Sequence, residues 1–202
     1  ENLANTDTWP RWPFENAGSR TLDADHNRLH DILFTGDNSY RLWMLMPGGR
    51  YGREVPLPVL SDGTQAFSFE NPGARIADVN GDRINDLAWV QSTRVVYWAS
   101  CGRGIFDGPI FLPLSGSLLA PEIPRAVLAD INGDSLSDLV IVRPVASPNG
   151  IQYFVNRGLA GFDPRRTILG LPSVQAGDAT RCADMNGNGS VDFLISNSSR
   201  AA

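Results

Sequence analysis

The segment ADVNGDRINDLAWV, residues 77–90, decides how this chain is read. It places three aspartates and two asparagines within the nine positions 78–86 and then turns apolar. Like charges this close repel, so a folded loop needs something positive to offset them, and a bound cation is the most economical candidate. The apolar run LAWV that follows reads as a buried strand, which puts the acidic stretch in a turn at the strand's mouth.

Three other stretches repeat the pattern: DADHNRLHDI from Asp23, DINGDSLSDL from Asp130 and DMNGNGSVDF from Asp184. The first aspartates stand at 23, 78, 130 and 184, so the spacings are 55, 52 and 54 residues. The register persists between the loops. Trp43 and Trp98 lie 20 residues after their aspartates, and Phe154 lies 24 after its own, as if four residues were inserted around VRPVASPNG. Tyr51, Phe106 and Phe162 follow at 28, 28 and 32 residues, with the same offset.

Each repeat holds short β-branched and aromatic runs, such as VVYWA and IFLPL in the second and LVIV, IQYFV and TILGL in the third. With a lead-in strand (ARIAD, RAVLAD), each unit of about 54 residues carries four strands, the signature of a propeller blade. The predicted fold is therefore an all-β propeller segment with three complete blades and one partial. A non-repeating lead occupies 1–18, and the propeller segment runs over 19–202, with blades at 19–74, 75–126, 127–180 and 181–202.

Composition agrees with a folded module. The chain has 202 residues, 42% apolar and 19% charged, with a net charge of −5 that disfavours nucleic acid. No apolar run reaches the roughly 18 residues of a membrane span, so membrane insertion is not expected. Seventeen Asp stand against five Glu, which favours turn and ligand chemistry over helix surfaces. All seventeen basic residues are Arg, which excludes a catalytic or phosphate-binding lysine. Cys101 and Cys182 are too few for a disulfide framework and read as free thiols rather than a bridge.

Counted from its first Asp, each loop offers side-chain oxygens at positions 1, 3, 5 and 9. These are Asp23, Asp25, Asn27 and Asp31, then Asp78, Asn80, Asp82 and Asp86. The third loop has Asp130, Asn132, Asp134 and Asp138, and the fourth Asp184, Asn186, Asn188 and Asp192. A backbone carbonyl at position 7 (Leu29, Ile84, Leu136, Ser190) can complete a hard oxygen cage suited to Ca²⁺. No His, Cys or Met recurs there, which disfavours zinc and copper. An EF-hand would need a Glu at position 12 and flanking helices, yet Phe34, Trp89, Ile141 and Ile195 stand there, so the loop belongs to a β-hairpin. The alternative is a set of plain Asx turns. Eleven of the 22 acidic residues lie in the four loops, and four filled sites would move the net charge from −5 to +3. Loops two and three, with three carboxylates and Gly81 or Gly133, are expected to bind best. The first carries His26 in place of that glycine, and the fourth, with two carboxylates, is expected to be weakest. Isolated loops should bind at about 10⁻⁴–10⁻³ M, as extracellular calcium modules do.

The strings DVNGDRINDL, DINGDSLSDL and DMNGNGSVDF, each tied to a later GIFDG- or GFDP-like turn, resemble FG-GAP/VCBS repeats. Such repeats build the calcium-binding propellers of integrin α-subunits, certain fungal lectins and the B components of Tc-type toxins. RVVYWASCGRGIF looks most like the toxin-type repeats. The resemblance implies that the loop positions above are calcium ligands, up to four ions in all, in a secreted or extracellular protein. Family propellers close with six or seven blades, so the expected partners are the remaining blades of a parent chain, a protein ligand or a second copy.

Enzymatic motifs are missing: no GxSxG, HExxH or phosphate loop occurs. His26 and His30 have the i, i+4 spacing of a zinc helix, but their stretch reads as loop. The chain is therefore expected to be a non-catalytic interaction or scaffold module. A lectin-like propeller binding glycans, or an accessory domain of a secreted enzyme, is the alternative. Trp43, Trp98 and Phe154 could stack on sugars, but one large aromatic per blade more often packs between blades. Trp9 and Trp12 in the lead are freer for a partner surface. Asn188 and Asn197 sit in sequons, the former doubling as a metal ligand.

Overall fold

The computed structural model describes residues 16–36, 38–143, 150–169 and 179–196. Most of the lead segment, with Trp9 and Trp12, lies outside the described residues, as do Asn197, most of VRPVASPNG and the end of TILGL. The protein is all-β, with a single 3-10 turn over Ile123–Arg125 among the described residues. The first repeat forms β1 (Ser19–Leu22), β2 (Asp31–Gly36) and β3 (Ser39–Trp43). A short hairpin of β4 (Leu45–Met46) and β5 (Arg50–Tyr51) follows, and then β6 (Val55–Leu57) completes a four-stranded sheet in the order β1-β2-β3-β6. The second repeat supplies β7 (Ala74–Ala77), β8 (Asp86–Val90), β9 (Arg94–Ser100) and β10 (Phe106–Pro113). The third supplies β11 (Ala126–Ala129), β12 (Asp138–Arg143), β13 (Gly150–Phe154) and β14 (Arg166–Thr167). Both are antiparallel meanders in sequence order, and the fourth repeat contributes the hairpin β15 (Ala179–Ala183) and β16 (Asp192–Ser196).

Side-chain alternation explains why these sheets stack. Leu87 and Trp89 on β8, with Val96 and Trp98 on β9, pack into one cluster with Leu33, Leu42 and Phe67 of the first repeat. The intervening Ala88, Val90, Val95 and Tyr97 pack into a second cluster with Leu128, Leu139, Ile141 and Phe154 of the third. The middle sheet is thus buried on both faces, which is why LAWV and VVYWA read as unbroken apolar runs. Trp98 is 1% exposed and sits 5.3 Å from the Phe67 ring, while Trp43 and Phe154 are also buried. These aromatics pack between and within sheets, as the packing alternative held, and none is open to a sugar face.

Backbone and side-chain staples join neighbouring repeats. The Arg75 guanidinium donates to the carbonyl of Ala126 (2.6 Å), where β11 begins, and to those of Ile123 (3.0 Å) and Pro124 (3.1 Å) in the turn that leads into it. Buried Glu122 receives both Nη groups of Arg165 (2.9 and 3.0 Å), and buried Asp62 receives Arg94 (3.0 Å) and Gln91 (2.8 Å). The cysteines are free, Cys101 exposed and Cys182 half-buried.

Candidate metal centre

Each acidic loop bridges the first two strands of its sheet, so it is anchored by a hairpin at both ends. All four follow one backbone path. Position 4 takes a left-handed conformation in every copy: His26 (φ 64°), Gly81 (83°), Gly133 (78°) and Gly187 (75°). Position 6 does the same with Arg28 (67°), Arg83 (69°), Ser135 (74°) and Gly189 (86°). His26 therefore does not divert the first loop, contrary to the expectation from its missing glycine. Its ring reaches outward, with Nε2 3.2 Å from Ser100 Oγ in the second repeat. Ser100 is buried, so this Ser–His contact links repeats rather than presenting a nucleophile.

The position-1 carboxylate organises the loop. Asp78 accepts from the N–H groups of Gly81 and Arg83 (both 2.8 Å), and Asp130 from Gly133 (2.7 Å) and Ser135 (2.8 Å). Positions 3 and 5 form a reciprocal pair. Asn80 Nδ2 donates to Asp82 (3.0 Å) and Asn132 Nδ2 to Asp134 (2.9 Å). In the first loop the residues are exchanged, and Asn27 Nδ2 donates to Asp25 (2.9 Å). Part of the repulsion that the sequence assigned to a cation is therefore offset by amide N–H groups.

Position 9 does something the sequence did not reveal. Asp31, Asp86 and Asp138 are fully buried. One oxygen accepts the position-2 N–H, from Ala24 (2.8 Å), Val79 (3.0 Å) or Ile131 (3.2 Å). The other accepts an N–H at or just beyond the end of the third strand, from Leu45 (2.7 Å), Ser100 (3.0 Å) or Asn156 (2.7 Å). Each carboxylate thus closes its loop and clamps it to the sheet. Burial pushes the Asp86 and Asp138 carboxyls up to about 6, against the lowering effect of those N–H groups and with help from neighbouring aspartates. Burial also raises Asp31 and Asp78. The fourth loop is the most open: Asp184 is exposed, and the Gly189 N–H foremost holds its carboxyl below the usual range.

Donor chemistry fits a hard divalent cation. In the first loop Asp23, Asp25 and Asp31 each bring an oxygen within 4.8 Å of the others, the only such group of three among the described residues. Opposed oxygens around Ca²⁺ at about 2.4 Å stand about 4.8 Å apart. The first loop, which lacks the position-4 glycine, is thus the one whose carboxylates converge; loops two to four carry Asn80, Asn132 and Asn186 where it has Asp25. Successive loops also touch: the Ser137 N–H donates to the Asp78 carbonyl (3.3 Å) and Val191 to Asp130 (2.8 Å). Asn156 Nδ2 donates to both Val79 and Ser137 carbonyls (3.0 Å each), so the acidic loops of the second to fourth repeats lie side by side. Asn156 and the staples Arg75, Arg94 and Arg165 have no recurrent partner spacing that would have exposed them. An Arg three residues before the first Asp does recur as Arg20, Arg75 and Arg181, and is the one readable signal.

The repeat pattern also emerges from a sequence comparison. Residues 130–195 match the FG-GAP-like repeat. No curated protein matches the chain. Solved structures share the fold. A Tc holotoxin pore from Photorhabdus luminescens superimposes with a TM-score of 0.71 at 24% identity, over 93% of this chain and 9% of that one. A lectin from Agrocybe aegerita that recognises non-reducing terminal N-acetylglucosamine gives 0.61 at 16% identity, over 88% and 46%. A TcdB2-TccC3-Cdc42 complex gives 0.55 at 16%, over 88% and 13%. The chain therefore spans a small part of the toxin chains and about half of the lectin. Identities this low establish a shared propeller-like fold. No helix among the described residues is long and apolar enough to cross a membrane.

Proposed function

We propose that this chain is a non-catalytic, calcium-binding stretch of β-propeller that serves as an interaction scaffold within a larger secreted, toxin- or adhesion-type protein. The carrying observation is the loop itself: four copies of one backbone path, each with side-chain oxygens at positions 1, 3, 5 and 9, and three carboxylates already converging in the first. Calcium at each convergence point would supply the positive charge that buried Asp31, Asp86 and Asp138 lack. The three four-stranded sheets and the fourth hairpin are read as three blades and part of a fourth, with the rest of the ring supplied from elsewhere. Secretion and membership of a toxin-like assembly draw on the solved relatives. Calorimetric titration with Ca²⁺ tests the reading, paired with melting curves in calcium and in chelator. Heat of binding and a higher melting temperature in calcium are expected. A titration without heat and unmoved melting curves refute it.

A glycan-binding reading draws support from the lectin neighbour and from a cavity of about 380 Å³ with mixed polar and apolar walls between the first two repeats, lined by Asp62, Thr64, Asn71, Trp89, Gln91 and Arg94 among others. A second cavity there, of about 280 Å³, is walled by Leu33, Tyr40, Leu57, Leu87 and Ile105 and suits an apolar side chain better than a sugar. A glycan array separates the lectin from the scaffold.

A further inference from the structure

The two junctions between complete sheets are built from matching places in the repeat but close differently. At the second junction, the turn after β13 zips onto the end of β10. The Phe162 N–H donates to the Pro113 carbonyl (2.8 Å), the Ser115 N–H donates to the Phe162 carbonyl (3.0 Å), and Phe162 is buried. Phe162 and Leu114 are thereby sealed into the core shared by the second and third repeats. Counted from the acidic loops, with the four extra residues of the third repeat allowed for, the same places at the first junction hold Phe106, Pro58, Val59 and Leu60. Among the described residues no backbone hydrogen bond joins Phe106 to these three. Phe106 is half-buried, and Val59 is 40% exposed where its counterpart Leu114 is 8%.

The gap that remains is the apolar cavity of about 280 Å³. Its walls include Leu33 and Leu87, both fully buried, and Ile105, 60% exposed, so it runs from the core to the surface. The Tyr40 hydroxyl in this lining is already committed to the Leu60 and Phe67 carbonyls. Arg103 is the one charged lining residue. It stands in a turn where Gly102, Arg103 and Gly104 all have positive φ (80°, 55° and 72°), and the Gly104 N–H donates to the Ala24 carbonyl (3.0 Å), which pins the turn to the first repeat. Arg103 is exposed, and its guanidinium forms no ion pair or hydrogen bond among the described residues.

An apolar cavity of about 150 Å³ takes up benzene, so this one has room for an apolar group of about eight to ten carbons. Leucine walls with a single unpaired cation at the mouth complement one kind of ligand. We infer that the first junction binds a small apolar carboxylate, its hydrocarbon part in the cavity and its carboxylate at Arg103. This goes beyond the scaffold reading. No lining residue belongs to an acidic loop, so failure here leaves calcium binding untouched.

Octanoate titrated into the full chain, followed by calorimetry and methyl NMR, tests the inference. Saturable binding with a Kd below about 1 mM is expected, and the shifted methyl groups should be those of Leu33, Leu57, Leu87 and Ile105. Hexanoate should bind about fifteenfold more weakly, at about fourfold for each methylene lost. Octanamide, which lacks the charge, should bind about two- to fivefold more weakly than octanoate, the range of an exposed ion pair. Arg103→Gln should lose the same factor for octanoate and leave octanamide unchanged. No saturation by about 5 mM, shifts confined to methyl groups elsewhere, or hexanoate within about twofold of octanoate overturns the site. Octanamide binding the unaltered protein as tightly as octanoate gives the cavity to an uncharged apolar group, such as a partner's side chain, and overturns the carboxylate assignment. These comparisons on the unaltered protein need no variant to fold.

Discussion

Replacing Arg75 by alanine isolates the contribution of a single side chain to the junction between the second and third repeats. Its guanidinium makes five carbonyl contacts: Ala126 (2.6 Å), Ile123 (3.0 Å) and Pro124 (3.1 Å) across the junction, with Pro72 (2.9 Å) and Ala74 (2.6 Å) on its own side. The bonds to Pro72 and Pro124 are exposed, so water replaces Arg75 there at little cost. Of the two remaining bonds across the junction, each charged hydrogen bond contributes about 1.5–3 kcal/mol, or about 3–6 kcal/mol together. Against that, freeing the side chain returns about 2 kcal/mol of rotamer entropy. Burial, which pulls the guanidinium below its usual basicity, signals a desolvation cost that is also recovered. The net loss should be about 1–3 kcal/mol, or about 2–12 °C in melting temperature for a chain of this size. Arg75→Lys keeps the charge but not the planar fork, and should recover no more than about half. Urea and thermal unfolding in chelator, with Arg75→Met to control for the aliphatic stem, measure this. Alanine and lysine variants both within about 0.5 kcal/mol of the parent, the level of ordinary surface substitutions, would refute the staple.

Asp82→Ala removes an exposed position-5 oxygen, so metal-free stability should change by no more than about 1 kcal/mol, while calcorimetric stoichiometry in calcium should fall by one site. Asp62 contributes on the acid side. Burial raises its carboxyl, but donors from Gln91, Thr64 and Gln65 outweigh this and hold it well below the usual range. A depressed folded-state pKa gives stability that is present above the unfolded value near 4 and lost as pH falls further. Unfolding measured from pH 5 down to 2 should therefore be steeper for the parent than for Asp62→Asn. Gly161 has φ +89°, and a Cβ there would collide with the Pro113 carbonyl that the Phe162 N–H also binds. Gly161→Ala should cost about 2 kcal/mol or more through strain and lost pairing, read as a drop in melting temperature.

Read alone, the sequence determined the parts that depend on local order. Alternation and spacing are properties of neighbouring residues, so DVNGDRINDL and its relatives reveal the repeat, the hairpin loops and the oxygen donors. Continuous runs such as VVYWA likewise announce a strand covered on both faces. Tertiary structure decided what depends on residues 14 to 77 positions apart. Asp86 looks in sequence like any other ligand, and only folding brings the Ser100 N–H to it and makes it a buried clamp. His26 looks like a defect, yet the path of the first loop is set by its hairpin and carboxylate contacts, which a left-handed histidine can satisfy. The staples from Arg75, Arg94 and Arg165 meet partners at unequal distances along the chain, because they stand at different places in their repeats: on the first strand, on the third and just before the fourth. A one-dimensional period records what each repeat is. Only packing shows how one repeat holds the next.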